Sequence, residues 1–257
     1  MLKYALAVLM VVAVPATMAD GDYYFSFSVG SLSQEDSDNS GAFTSDFTTG
    51  DGSPAIANGT VLAAGTTTGW TTEFDNGTNF ALEFGKRFGS GLRAGVELFS
   101  GSADVDTHFG VSAGGTIIDG VDAAVLTGSA TQLGATVGEV VAAGQGDVSS
   151  LGLMVNAFYD FNRDGKFQPF VGVGIGITDF DVEFNPSNVG IIDDGSTAFT
   201  YQARVGGTLI FNDSWEGFVD YTFRTSEDIE VDATLIPAQL DIENEQGIAS
   251  LGARYRF

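Results

Sequence analysis

Three groups of residues in this chain have types and spacings from which chemistry could be built. The stretch Asp160-Phe161-Asn162-Arg163-Asp164-Gly165 sets oxygen-bearing side chains at alternate positions ahead of a glycine, as in the opening of a calcium-binding loop. Its twelfth position is Val171, where such a loop needs a bidentate Glu, and strand-like sequence flanks it on both sides, so a plain hairpin turn is expected. His108 is the single histidine. A hydrolytic centre would need it held beside a serine, and neither spacing nor strand placement supplies that pair. His108 is therefore expected to be an exposed loop residue, and no catalytic residue, metal site or cofactor is assigned. The third group is Glu83, Arg93, Glu97, Arg204, Asp220, Arg224, Arg254 and Arg256, each set within a run of alternating apolar residues. Charges so placed share a face with glycines and small polar residues and are expected to pair with one another.

The elements that must position them are strands. In Leu251-Gly252-Ala253-Arg254-Tyr255-Arg256-Phe257 the apolar side chains alternate with glycine and arginine, which sends the two sets to opposite faces. The same period of two recurs in residues 23–30, 79–85, 92–99, 151–161, 167–177, 201–211 and 219–224, making eight strands whose alternating runs cover about 6–11 residues, close to the length a tilted strand needs to cross a hydrocarbon core. Tight turns at residues 88–91, 162–166 and 212–214 alternate with four long segments, 31–76, 101–148, 179–197 and 225–245. The first is rich in Ser, Thr, Asp, Asn and Gly without a sustained period and reads as a surface loop; the second is expected to carry local strands that extend beyond the membrane. Asn58-Gly59-Thr60 and Asn76-Gly77-Thr78 match the glycosylation acceptor pattern and read as turns.

The fold class expected is all-β: an eight-stranded antiparallel up-and-down transmembrane barrel with four long extracellular loops. A soluble barrel would place its apolar face inward; here the charges share the inward face and the sign is reversed. Tyr23, Phe161, Phe211, Trp215 and Phe257 fall where strands meet the interface. Residues 1–19, with Lys3, an apolar run over residues 4–14 and the small-residue segment ending at Ala19, read as a signal peptide, leaving 20–257 as the barrel domain. The chain has no cysteine, hence no lipoprotein anchor and no disulfide. Loss of the leader leaves nine basic against 34 acidic side chains, a charge of −25, which excludes nucleic acid as a partner. All nine basic residues lie in strands or short turns, so the loops are purely acidic and suited to holding divalent cations loosely.

With these residues in view the chain resembles the opacity/OmpA-like family of outer-membrane barrels, whose eight-stranded module is of the OmpA/OmpX type. The resemblance is carried by Gly85-Lys86-Arg87-Phe88 with Leu92-Arg93-Ala94, Asn156-Ala157-Phe158-Tyr159-Asp160-Phe161, Pro169-Phe170-Val171-Gly172-Val173-Gly174, Val219-Asp220-Tyr221 and the terminal Arg254-Tyr255-Arg256-Phe257. It implies a bacterial outer-membrane location, contact with outer-membrane lipid and lipopolysaccharide, and recognition of Tyr255 and Phe257 as an assembly signal by the barrel-assembly machinery. It does not imply one activity. The reading adopted is a non-enzymatic surface barrel, structural or engaged with the environment or a partner; a narrow passive pore is the alternative, and a lipid A-modifying hydrolase a third.

Overall fold

Alternation with the apolar residues outward should close a sheet on itself, because an open edge would leave backbone groups unpaired in lipid. The computed structural model describes residues 22–257; the expected leader lies outside them. In chain order the strands are β1 (Tyr23–Gln34), β2 (Ser37–Phe43), β3 (Phe47–Thr48), β4 (Val61–Leu62), β5 (Thr67–Phe74), β6 (Gly77–Arg87), β7 (Leu92–Ala113), β8 (Thr116–Ile117), β9 (Gly146–Asp160), β10 (Phe167–Phe184), β11 (Ile192–Ile210), β12 (Trp215–Ser226), β13 (Ile229–Asp232), β14 (Ala238–Ile242) and β15 (Glu245–Arg256). Two short helices, α1 (Ala124–Thr127) and α2 (Val137–Val141), lie between β8 and β9.

Eight of these strands form a closed antiparallel ring, β1–β6–β7–β9–β10–β11–β12–β15, with β15 returning to β1. The register matches the alternation: Phe25 lies opposite both Tyr255 and Phe84, and Val155 opposite both Val96 and Ile175. Val155, Val173, Val219 and Leu251 are each about three-fifths exposed on the outer wall, a continuous apolar band that water would not tolerate and hydrocarbon does. Aromatic rings border it at both ends. At the turn end, Tyr23, Phe84, Tyr255 and Phe257 stack with centroids 6.1–6.4 Å apart and Trp215 lies 5.1 Å from Tyr255; toward the loop end, Phe199 faces Tyr201 and Tyr221 faces Phe223.

The strands are not of one height. β1, β6, β12 and β15 have 11 or 12 residues, whereas β7, β10 and β11 have 22, 18 and 19 and continue past the band. On β10 the outer face changes character along one parity: Val171, Val173, Ile175 and Ile177 are followed by Asp179, Asp181 and Glu183. The inner face changes with it, from Gly172, Gly174 and Gly176 to Phe180, Val182 and Phe184, all three of which are buried. Apolar-out below becomes apolar-in above.

Above the band the short side of the ring is completed by other strands. β5 pairs with the upper half of β7, β2 with β5, β14 with β2 and β13 with β14, and Ala233 bridges to Ile192 at the start of β11. The result is a second, stacked ring, a dome, whose interior holds Trp70, Val105, Phe180, Val182, Phe184, Ile192, Ile229, Val231, Leu240 and Ile242 around the buried faces of both helices. The N-terminus of α2 is fixed by a reciprocal capping box between Thr136 and Glu139.

The expectation of irregular surface loops over residues 31–76 and 225–245 is thus corrected. The strands there are short and carry the alternation with its sign reversed, as in Ile229-Glu230-Val231-Asp232 and Leu240-Asp241-Ile242. In β2 the buried positions include Ser37 and Asn39, which pair with each other instead of advertising a core. The expected local strands of residues 101–148 are present as the upper part of β7 and as β8.

Candidate functional site

The lower ring is filled by its own side chains. Nearest the turn end, Glu216 is fully buried and meets three arginines: Arg87 Nη1 at 2.8 Å, Arg254 Nη1 at 2.9 Å and Arg256 Nε at 3.0 Å. One level up, Arg93 donates from Nε and Nη2 to the two oxygens of Asp160, each at 3.2 Å, and lies 3.5 Å from Glu83. Tyr24 donates to the same Glu83 at 2.7 Å. Above that, Glu97 accepts from Arg204 at 2.7 Å and from Gln202 at 3.3 Å, with Arg224 3.6 Å away. Asn156 joins the two upper levels by donating to Glu83 at 2.8 Å and to Glu97 at 3.4 Å. Such charge-assisted, multiply bonded carboxylates are the arrangement in which buried ions are tolerated.

Rings fill what the charges leave. The Arg224 guanidinium carbon sits 3.4 Å from the Phe99 ring centre and that of Arg93 4.0 Å from Phe158. Each ring lies against a glycine on the neighbouring strand: a Cβ at Gly152 would come within 2.2 Å of Phe99, and one at Gly172 within 2.2 Å of Phe158. The inward glycines are what let an eight-stranded ring, only just wide enough for side chains, hold aromatic discs and arginines together. Above the charges Thr178 and Thr200 bond at 2.8 Å and Gln34 and Gln246 at 3.1 Å. Leu32, Ala103 and Ile248 then begin the apolar interior.

Of the eight charges named from the sequence, Glu83, Arg93, Glu97, Arg204, Arg224 and Arg254 are buried or nearly so and are ion-paired in the lumen. Arg256 is paired at the open lower mouth, its side chain 21% exposed. Asp220 departs from expectation: it faces inward but accepts only from Thr222 at 3.4 Å, and no salt bridge within 4.0 Å reaches it. The residues missed are Glu216, Arg87 and Tyr24; Asn156 and Gln202, on the inward parity of their strands, add uncharged links. Parity held the signal for all three, since Glu216 shares that of Asp220, Arg87 that of Glu83 and Tyr24 that of Ser26. Each stands at a strand end, beside a turn or the first residue of the domain, where alternation has too few neighbours to declare a face.

Residues 160–165 form the expected hairpin turn: Gly165 N donates to Asn162 O at 2.9 Å, and Asp160 turns inward to Arg93. His108 is the clearest correction. It is 1% exposed, inside the dome, with Nδ1 2.8 Å from Thr72 Oγ1 and its ring 4.9 Å from Phe184 and 6.4 Å from Trp70. Its hydroxyl neighbour is a threonine that is itself fully buried. Position 108 falls inward because β7 runs on through what the sequence presents as a loop.

No protein-family model matches the sequence, and no curated protein is significantly similar to it. Solved structures do resemble it. The outer membrane protein OprG from Pseudomonas aeruginosa matches over 92% of this chain and 96% of its own at 14% identity, with a TM-score of 0.52. Neisserial surface protein A matches over 93% and 98% at 13% identity with a TM-score of 0.47. The outer membrane protease OmpT from Escherichia coli matches over 92% and 97% at 10% identity with a TM-score of 0.45. At these identities it is the fold that is shared. Closed ring, lipid-facing apolar band, charged interior and the likeness to OprG lead to one conclusion: the chain is an eight-stranded outer-membrane β-barrel of the OmpA/OmpX-type fold.

Proposed function

We propose that this barrel is a non-enzymatic, non-conducting membrane anchor that presents a folded acidic dome to the environment or to a partner. The observation that carries it is the stacking of two different seals: a lumen cross-linked by arginine and carboxylate, and above it an apolar core. A water column would have to break the first and wet the second. The absence of Lys and Arg over residues 31–76, 101–148, 167–203 and 225–245 makes the dome anionic, which favours loosely held divalent cations and disfavours anionic surfaces. Divalent cations could also bridge it to the phosphates of neighbouring lipopolysaccharide. Tyr255 and Phe257 serve as the assembly signal in this reading, supported by their place where the ring closes: Phe257 N donates to Tyr23 O at 3.1 Å.

The test is conductance of the mature chain in planar bilayers. The expected result is no steady current. Steady anion-selective channels, together with little stability lost in Glu97→Ala or Glu216→Ala, would favour the passive pore instead, because in a water-filled lumen those carboxylates would be screened.

A further inference from the structure

Toward the loop end the outer wall of the barrel is not smooth. On β12 the register sets Phe223 opposite Ala203 of β11 on one side and Gly247 of β15 on the other. The Phe223 ring, 61% exposed, therefore stands as a ridge between two positions with almost no side chain. Tyr221 packs edge-on against it with centroids 4.7 Å apart, and its hydroxyl reaches over Gly247, where an added Cβ would lie 2.3 Å from Tyr221 Oη. A groove of about 380 Å³ runs among Tyr201, Tyr221, Phe223 and the two small residues. Beyond Gly247 the wall stays low, with Ser33 opposite Gly247 and Ser31 opposite Ala249.

The upper rim has a different character. Glu35 N donates to Glu245 O at 2.9 Å, which extends the pairing of Gln34 with Gln246 by one residue and sets two exposed acidic residues side by side. Like charges so placed repel. Arg224 is the one basic residue that borders the groove, but it is 2% exposed and turns into the lumen, donating to Gln202 at 3.2 Å and Asn79 at 3.1 Å. Among the described residues lining the groove, none neutralises the two carboxylates on the outer side.

Location decides what the groove meets. Its rings belong to the aromatic border between the apolar band and the acidic dome, so its lower part faces hydrocarbon and its rim faces headgroups. The occupant must therefore be an amphiphile. A second copy of this chain meeting the groove about a two-fold axis would set the carboxylate pair against its own image, and a lipid with only a phosphate at its head would meet two negative charges. We propose that the groove holds one membrane lipid whose head ends in an ammonium group. An acyl chain lies along Phe223 and Gly247, and the ammonium sits between Glu35 and Glu245, relieving their repulsion. The site is on the outer wall and depends neither on the closed lumen nor on what the dome engages.

The test weighs the intact mature chain by mass spectrometry as it leaves lipid nanodiscs. These contain equal amounts of phosphatidylethanolamine and phosphatidylglycerol with identical acyl chains, in the presence of a chelator. Both lipids carry the phosphate and only the first an ammonium. The chain should retain one ethanolamine lipid, favoured roughly tenfold over the glycerol lipid, the order expected for one charge near a membrane surface. Glu35→Gln combined with Glu245→Gln should keep a lipid and erase the preference, whereas Gly247→Phe, which fills the groove, should lose the lipid. Equal retention of both lipids, retention that needs calcium, or a lipid-free dimer would each overturn the proposal, as would a preference that survives the paired Gln substitutions or a lipid that survives Gly247→Phe. The first three outcomes come from the unsubstituted protein, so they stand even if a variant does not fold.

Discussion

Each carboxylate in the lumen stabilises in proportion to the guanidinium groups that depend on it, which ranks substitutions that composition alone would treat alike. Glu216→Ala strands Arg87, Arg254 and Arg256 at once, and Glu97→Ala strands Arg204 with Arg224 beside it. Each should cost about 3–5 kcal/mol in urea unfolding. Asp220→Ala loses only a bond from Thr222 and should cost about 1 kcal/mol; equal losses at Asp220 and Glu216 would contradict the pairing. His108 makes a separate prediction about pH. Burial lowers its pKa to about 4 from an ordinary 6.5, so the unfolded chain takes up a proton at a higher pH than the folded one. Dome stability should be complete above about pH 6.5 and fall by roughly 1.4 kcal/mol per unit toward pH 4. Trp70 fluorescence in a Trp215→Phe background would follow it, and His108→Phe should flatten this window. The inward charges were legible because period-two alternation surrounds them. His108 was not, because its burial depends on strands contributed by three distant segments.

At the scale of single elements, the outer face of the dome carries like charges in register. Asp104 on β7 lies opposite Asp147 on β9, Asp147 opposite Glu183 on β10, and Glu183 opposite Asp193 on β11. Directly opposed like charges weaken a sheet. Burial foremost, and then the Asp104 and Asp181 carboxylates, hold the Asp147 carboxyl above its ordinary value. A group raised in the folded state destabilises while ionised, so Asp147→Asn should stabilise the dome at neutral pH by about 0.5–1 kcal/mol and lose that advantage as Asp147 protonates in acid. Millimolar calcium should bring the unsubstituted chain toward the Asn variant; no gain from calcium in either would remove the reading of loosely held cations. This row could not be seen in the sequence. Its members are scattered over some 90 positions, and only the registers of four strands, set by turns and the lower ring, align them. The eight membrane strands were legible for the opposite reason: their signal is local, and the lipid on one side leaves a single sign of alternation. Above the band the sign inverts within one strand, and a rule tuned to the lower ring reads the upper as noise.

Taken whole, the molecule is two rings sharing four tall strands, and the upper ring is completed by pieces from opposite ends of the chain. β2 follows the first barrel strand and β14 precedes the last, yet Leu240 pairs with Gly41 and Asp241 with Ser40. β15 likewise reaches β1 only at the end of the chain. Both seams join the same two distant regions, and contacts so far apart in sequence are slow to form. The consequence concerns order in time. The dome is expected to mature with the barrel and not ahead of it: until β15 zips onto β1, β14 has its hairpin partner β13 but not β2, and the apolar core of Leu240 and Ile242 stays open. Protection of residues 37–43 and 238–242 from pulsed protease during assembly should appear in one kinetic phase with closure of the β1–β15 seam, and deleting Phe257 should delay both together. Early protection of these segments while that seam is still open would show that the dome folds by itself. If they appear together, what the cell surface displays is its own certificate that the last strand has been inserted.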